Sequence, residues 1–465
     1  MLSALIIFLI GCVSLYLTLT RGAAHTFVVL YLPVLLLVSY LPKVNLPFMP
    51  DASSHMAVGY GILFAWLLMG GENKGFTWHP IDTMIIVLAA STVITKIATE
   101  QIYTGVSEAG QQFFTFFLPY YLARMTFAHP ASRPKAMKAI AVCASFICFF
   151  AVIEARLWPF FLSRQLKALG LSEVHNTMAM GRWGFFRAQT LFPHPIDQGN
   201  SGVLLGALLI VLAYTAGRNW RDKTFLFGIT ACCILVFTSL SFTSFLAAIV
   251  AVAAFAVLAA ARFTYMLLVP GIVLAILIGI SFTTMLINVD PGPRPGPDTP
   301  ALEASLWMRT VIVQNAWGVA EDAGLFGFGN LISKDQLNLD SVDNSYLLFL
   351  MTRGWVFIVL ILTLPVMLAW SGARALARAR QASERIPLAA GLAGVYGTFA
   401  AMYTVWFGFV YSLLTMILLG LTVSMIQVLL GNQAAVAPQA QLPAGTASLP
   451  AGPPPGRGIA AGGMP

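Results

Sequence analysis

Apolar runs of membrane-spanning length recur from residue 2 to about residue 430, and this recurrence decides which folds are open to the chain. A helix needs about 20 apolar residues to cross the hydrocarbon core of a bilayer. On that measure spans are expected near 2–20, 23–41, 55–70, 80–98, 111–127, 137–155, 195–217, 223–240, 243–260, 264–287, 344–370, 387–408 and 409–430, about 12 to 13 in all. The expected fold class is therefore all-α, a polytopic transmembrane helix bundle. A composition 58% hydrophobic and 9% charged, with a mean hydropathy of +0.82, excludes a soluble globular chain. Residues 1–430 read as one transmembrane domain, and residues 431–465, rich in Ala, Pro and Gly, as a disordered cytoplasmic tail. The first apolar run lacks a basic leader and is followed by Arg21, so it reads as a retained helix.

A net charge of +8 would point a soluble protein toward nucleic acid. In a membrane chain the cations record topology instead, and no nucleic-acid partner is expected. Arg124, Arg133, Lys135 and Lys138 fall at one connection and Arg218, Arg221 and Lys223 at a second. Arg262 falls at a third, and Arg374, Arg378, Arg380 and Arg385 at a fourth. Counting spans puts all four on one side, which the positive-inside rule makes the cytoplasm. Two long polar intervals, about 156–194 and 288–343, then face outward, and the amino terminus lies outside. The five cysteines sit inside apolar runs without metal-binding spacing, so burial is expected, with neither a disulfide framework nor a metal site.

In the first outward interval, Phe161, Leu162, Leu166 and Leu169 interleave with Arg164 and Lys167 as an amphipathic surface helix. Further on, Arg182 and Arg187 bracket Trp183, Phe185 and Phe186, and the chain continues through His194 and Pro195 into a span. His194 fits either a hydrogen-bonded helix start or a base. In the second interval Thr299 and Pro300 read as an N-cap and first helical residue, with the helix running to about Ala320. Arg309 shares a face with Leu302, Leu306, Val313 and Trp317, and a cation in an apolar stripe needs an anion or a wet cavity. Asp343 precedes the span that begins near Asn344. It fits an N-cap, whose helix dipole would lower its pKa, or a general base. Arg353, one or two turns into that span, either meets phosphate or snorkels outward. Lys96 and Glu100 have the spacing of an i, i+4 pair.

Arg187 followed by Phe192, His194, Pro195 and Gly199 resembles a motif of bacterial exopolysaccharide polymerases. Arg309, Trp317, Gly327 and Gly329, followed by Asn344, Ser345, Tyr346, Leu347 and Gly354, are similar to the O-antigen ligase and polymerase superfamily, Wzy/WaaL-like. The histidine that often precedes the Asn of the ligase motif is Asp343 here, which tilts the resemblance toward the polymerases.

The resemblance implies a metal-independent, inverting GT-C-type glycosyltransferase of the bacterial inner membrane, with an active site facing the periplasm and no cofactor. Its donor would be an undecaprenyl-diphosphate-linked oligosaccharide, its surroundings membrane lipids, and its partners a flippase and a chain-length regulator. Arg187, Arg309 and Asp343 are the catalytic candidates, with Arg182, His194, Asn344, Tyr346 and Arg353 as substrate contacts. The alternatives are a ligase that passes finished glycan to lipopolysaccharide core, and a transporter of lipid-linked oligosaccharide.

Overall fold

The computed structural model describes residues 2–38, 43–44, 52–69, 77–171, 182–260, 264–296, 299, 301–329, 344–403 and 409–431. Arg262, Asp343 and the tail beyond residue 431 lie outside the described residues. Among these residues the chain is all-helical. The first half comprises α1 (Leu2–Arg21), α2 (Ala23–Leu37), α3 (Ser54–Met69), α4 (Pro80–Thr99), α5 (102–128), α6 (Ser132–Arg156) and the short α7 (Phe161–Ala168). The second half comprises α8 (Pro195–Thr215), α9 (Lys223–Thr238), α10 (Phe242–Ala260), α11 (Leu268–Asn288), α12 (Ala301–Ala320), α13 (Ser345–Arg378), α14 (Ala382–Met402) and α15 (Phe409–Leu430).

Each expected span has a helix in its place. Eight described helices are long and apolar enough to cross a membrane, and α2, α3 and α9 are apolar but shorter. The chain is a multi-pass membrane protein. Helix α5 starts earlier than hydropathy predicts and runs through a polar stretch in which the Gln112 side chain donates to the Glu108 carboxylate at 2.5 Å. The surface helix α7 forms as expected, with Leu162 and Leu166 packed inward and Arg164 and Lys167 exposed. The expectation of five buried cysteines is corrected. Cys143, Cys148 and Cys232 are buried, but Cys12 and Cys233 face outward from the bundle, where lipid solvates a thiol as well as a protein core does.

The centre of the bundle is made by α8, α14 and α15. In the most apolar stretches of α15 and α8, 83% and 78% of residues are buried inside the protein, against none in α11, which lies on the rim. Between membrane helices the driving force is close packing, and small residues permit it. Helix α14 presents Gly391, Gly394 and Gly397 to Thr422 of α15, to Leu418 and Ala207, and to Ala247 of α10.

The cationic connections gather at one end of the bundle. Arg133 donates to the Thr215 carbonyl at 3.0 Å, and Arg378 to that of Leu430. Arg124 contributes more than a topological signal. Its side chain is 4% exposed and ion-paired to Asp82, and it also donates to Gln427 Oε1 and, at 2.8 Å, to the Thr77 carbonyl. The Tyr120 hydroxyl and the His79 N–H complete the Asp82 shell at 2.5 and 2.6 Å. This buried latch ties the start of α4 to the ends of α5 and α15.

At the opposite end, α13 breaks at Gly354 (φ 76°). A broken helix in lipid strands backbone groups that must find partners. The turn from Gly324 to Gly329 supplies them. Phe328 N–H and Gly329 N–H donate to the carbonyls of Met351 (2.7 Å) and Thr352 (3.1 Å), while Trp355 N–H and Val356 N–H donate to Gly324 and Leu325 (3.2 Å each). The Arg353 carbonyl receives the Thr95 hydroxyl at 3.4 Å. A Cβ at Gly354 would overlap the Leu325 carbonyl, and one at Gly327 would sit 2.6 Å from the Arg353 nitrogen. Gly354→Ala is therefore expected to cost at least about 1–3 kcal/mol from the positive φ alone. Thermal unfolding in detergent checks this, and an unchanged midpoint would contradict the interlock.

Candidate functional site

The segment Arg182–Thr190 is clamped between the ends of two membrane helices. Phe186 N–H donates to the Ala155 carbonyl of α6 at 2.9 Å, and Ala188 N–H to the Thr238 carbonyl of α9 at 3.0 Å. Glu154, fully buried, accepts from Leu162 N–H (3.1 Å) with one carboxylate oxygen and from Gln189 N–H (3.2 Å) and Thr190 N–H (2.8 Å) with the other. The arginines are placed by this clamp. Arg187 Nε donates to the Ser239 carbonyl at 3.3 Å and Arg182 to the Leu240 carbonyl at 3.0 Å, both just beyond the end of α9. Cations suit a helix C-terminus, whose last carbonyls are unpaired. Among the described residues neither guanidinium has a carboxylate partner. Burial, with Arg182 adding repulsion, pushes the Arg187 pKa down to about 10, which leaves it charged at neutral pH.

The other expected contacts fall into place as follows. His194 caps α8, its Nδ1 accepting from Ile196 N–H at 3.1 Å. The cap of α13 is Asn344, whose Oδ1 accepts from Tyr346 N–H (3.0 Å) and Leu347 N–H (3.2 Å). The Tyr346 hydroxyl donates to the Phe399 carbonyl at 3.0 Å, tying α13 to α14. Helix α12 forms over the expected range, and Arg309 lies half-buried on the face that carries Val313, Ala316 and Ala320. Lys96 and Glu100 pair at 2.6 Å.

Arg353 stands in a different environment. It lies between the rings of Phe349 and Phe357, 4.8 and 4.6 Å from their centroids. One guanidinium nitrogen is buried without a hydrogen-bond partner among the described residues. The group borders a cleft between α4, α5, α13, α14 and α15, lined almost wholly by apolar side chains such as Ile85, Phe116, Leu364 and Leu419. An unpaired cationic donor in such surroundings is costly and fits an anion carried on a hydrocarbon chain.

Glu154, which its sequence position beside Arg156 would place at the membrane interface, is instead fully buried. A carboxylate that sequence reasoning missed is Asp197, and the available signal was a repeated tetrapeptide: His79-Pro80-Ile81-Asp82 opens α4, and His194-Pro195-Ile196-Asp197 opens α8. The two copies stand at opposite ends of the bundle. Among the described residues no group of His, Cys, Asp and Glu side chains is placed to hold a metal ion. No protein-family model matches the chain, and no curated protein matches it.

Proposed function

We propose that the chain is a GT-C-type membrane glycosyltransferase, a polysaccharide polymerase that passes a glycan from its lipid diphosphate to a hydroxyl of a second lipid-linked repeat unit. On this reading it lies in the bacterial inner membrane, with Arg182, Arg187 and Arg353 at the periplasmic face. The observation that carries the reading is Arg353, a half-buried side chain within electrostatic reach of Glu108, with one buried guanidinium nitrogen left without a hydrogen-bond partner among the described residues beside an apolar cleft. That combination matches a substrate with an anionic head and a long hydrocarbon tail. Arg187 and Arg182, held on backbone carbonyls rather than carboxylates, keep their charge for a diphosphate leaving group. Guanidinium suits this work, being planar, permanently charged and able to grip phosphate oxygens in pairs. Arg309 adds a further cation from α12, and Asp343 is the base expected from the motif. Outside the cytoplasm no nucleotide sugar is at hand, so the activated bond has to be a lipid diphosphate.

The break at Gly354 favours a second reading, a transporter, because discontinuous helices line many transport sites. Purified protein supplied with undecaprenyl-diphosphate-linked repeats separates the readings. A polymerase lengthens the glycan with no core acceptor present. Product only when lipopolysaccharide core is added would make it a ligase. Exchange of substrate between leaflets with no new glycosidic bond would make it a transporter.

A further inference from the structure

Helix α7 and the turn before it expose cations without any acid beside them. Residues 155–171 contain Arg156, Arg164 and Lys167 but neither Asp nor Glu, and each of these cations is exposed. The preceding residue, Glu154, is buried, and its carboxylate is occupied by the N–H groups of Leu162, Gln189 and Thr190. Among the described residues none of the three cations is in an ion pair. Arg164 and Lys167 stand three residues apart and are neighbours on the outer face of α7, away from Leu162 and Leu166, which pack on the core. Arg156 is held over the Phe185 ring, 5.4 Å from its centroid.

The apolar side chains around these cations set their depth. Leu157, Trp158 and Leu169 are exposed at the two ends of α7, and Trp183 and Phe186 on the adjoining loop. Tryptophan collects at the headgroup level of a bilayer. A short basic helix bordered by Trp and Leu lies in that interface, and its binding strengthens with attraction to anionic lipid. The position of α7 is fixed as well. Through its two oxygens Glu154 joins Leu162 of α7 to Gln189 and Thr190, so the cationic face is anchored beside the loop that carries Arg182 and Arg187.

We propose that the exposed face of α7, together with Arg156, binds the headgroups of anionic phospholipids in the leaflet at this end of the bundle. The charge complementarity is one-sided. Cations with no acidic neighbour attract a headgroup of net negative charge, whereas a zwitterionic headgroup brings its own ammonium and gains less. Binding is reversible, and it does not depend on the reaction that the chain carries out.

The test uses the full-length protein in nanodiscs, with Trp158 as reporter. Brominated phosphatidylglycerol or brominated phosphatidylcholine replaces the same fraction of the lipid, and the Trp158 signal is the difference between the protein and its Trp158→Phe variant. Each Lys or Arg near an anionic surface adds about fivefold to the attraction. Quenching of Trp158 is therefore expected to favour the anionic lipid several-fold. The double variant Arg164→Gln with Lys167→Gln should bring the ratio near one with the thermal midpoint unchanged, since both side chains are exposed. Arg164→Lys should keep the preference. Raising the salt from 0.1 M to 1 M, which shortens the screening length from about 10 Å to about 3 Å, should weaken it. Equal quenching by the two lipids would overturn the proposal, and so would a preference that survives in the double variant. A preference lost in Arg164→Lys as well would assign the effect to side-chain shape rather than charge, which also overturns it. Loss of the preference on adding inorganic phosphate at constant ionic strength would make the face a site for free anions and overturn the lipid assignment.

Discussion

Replacing Arg187 by alanine is expected to lower polymer formation from lipid-linked repeats by about 10²–10³-fold, the range seen when one fixed donor to a developing negative charge is removed. The argument starts from the clamp. Glu154 and the carbonyls of Ala155 and Thr238 hold the loop, so truncating one side chain leaves the backbone in place. The loss should fall on kcat, since the diphosphate gains charge only as the glycosidic bond breaks. Arg187→Lys keeps the charge but not the planar fork, and an intermediate rate is expected. Arg182→Ala should weaken turnover less, because Arg187 remains. Steady-state kinetics of the purified variants decide the matter. Wild-type kcat in Arg187→Ala would remove the guanidinium from the reaction.

The second large effect lies at the other end of the bundle. Asp82→Ala would leave Arg124 buried without its carboxylate, with side chains that are 1% and 4% exposed in the intact pair. Breaking a buried pair from one side costs about 3–5 kcal/mol, because the remaining charge stays out of water. Unfolding in detergent should show that loss, and the paired neutral variant Asp82→Asn with Arg124→Gln should recover part of it. A small change in Asp82→Ala alone would mean that Arg124 finds another anion or reaches solvent. Since the site residues lie at the opposite end, correctly folded Asp82→Ala should still turn over substrate.

Much of this architecture was legible because lipid imposes a simple rule: about 20 apolar residues make a span, and cations sort to one end. The same counting yielded the helix after Pro300, the surface helix with Arg164 and Lys167, and the Lys96–Glu100 pair, all local in sequence. Contacts between distant residues were not legible. Arg124 looked like a loop cation because nothing near it in sequence announces Asp82, Tyr120 or Gln427. Gly327 and Gly354 stood out as motif positions, but their shared purpose appears only when the turn closes over the broken helix. Arg182 and Arg187 were singled out from sequence, whereas the carbonyls that seat them lie more than 50 residues away. The repeated tetrapeptide was visible throughout.

The cleft beneath Arg353 has a kinetic consequence. From Arg353 to Leu364 its lining follows α13 for roughly 16 Å, at 1.5 Å per residue, about half the thickness of a bilayer's hydrocarbon core. On the proposed reading, a lipid-linked substrate bound there would arrive by diffusion in the plane of the bilayer. Its effective concentration is then a mole fraction in one leaflet, and saturation should follow the ratio of lipid-linked glycan to total lipid, unchanged when the vesicle suspension is diluted.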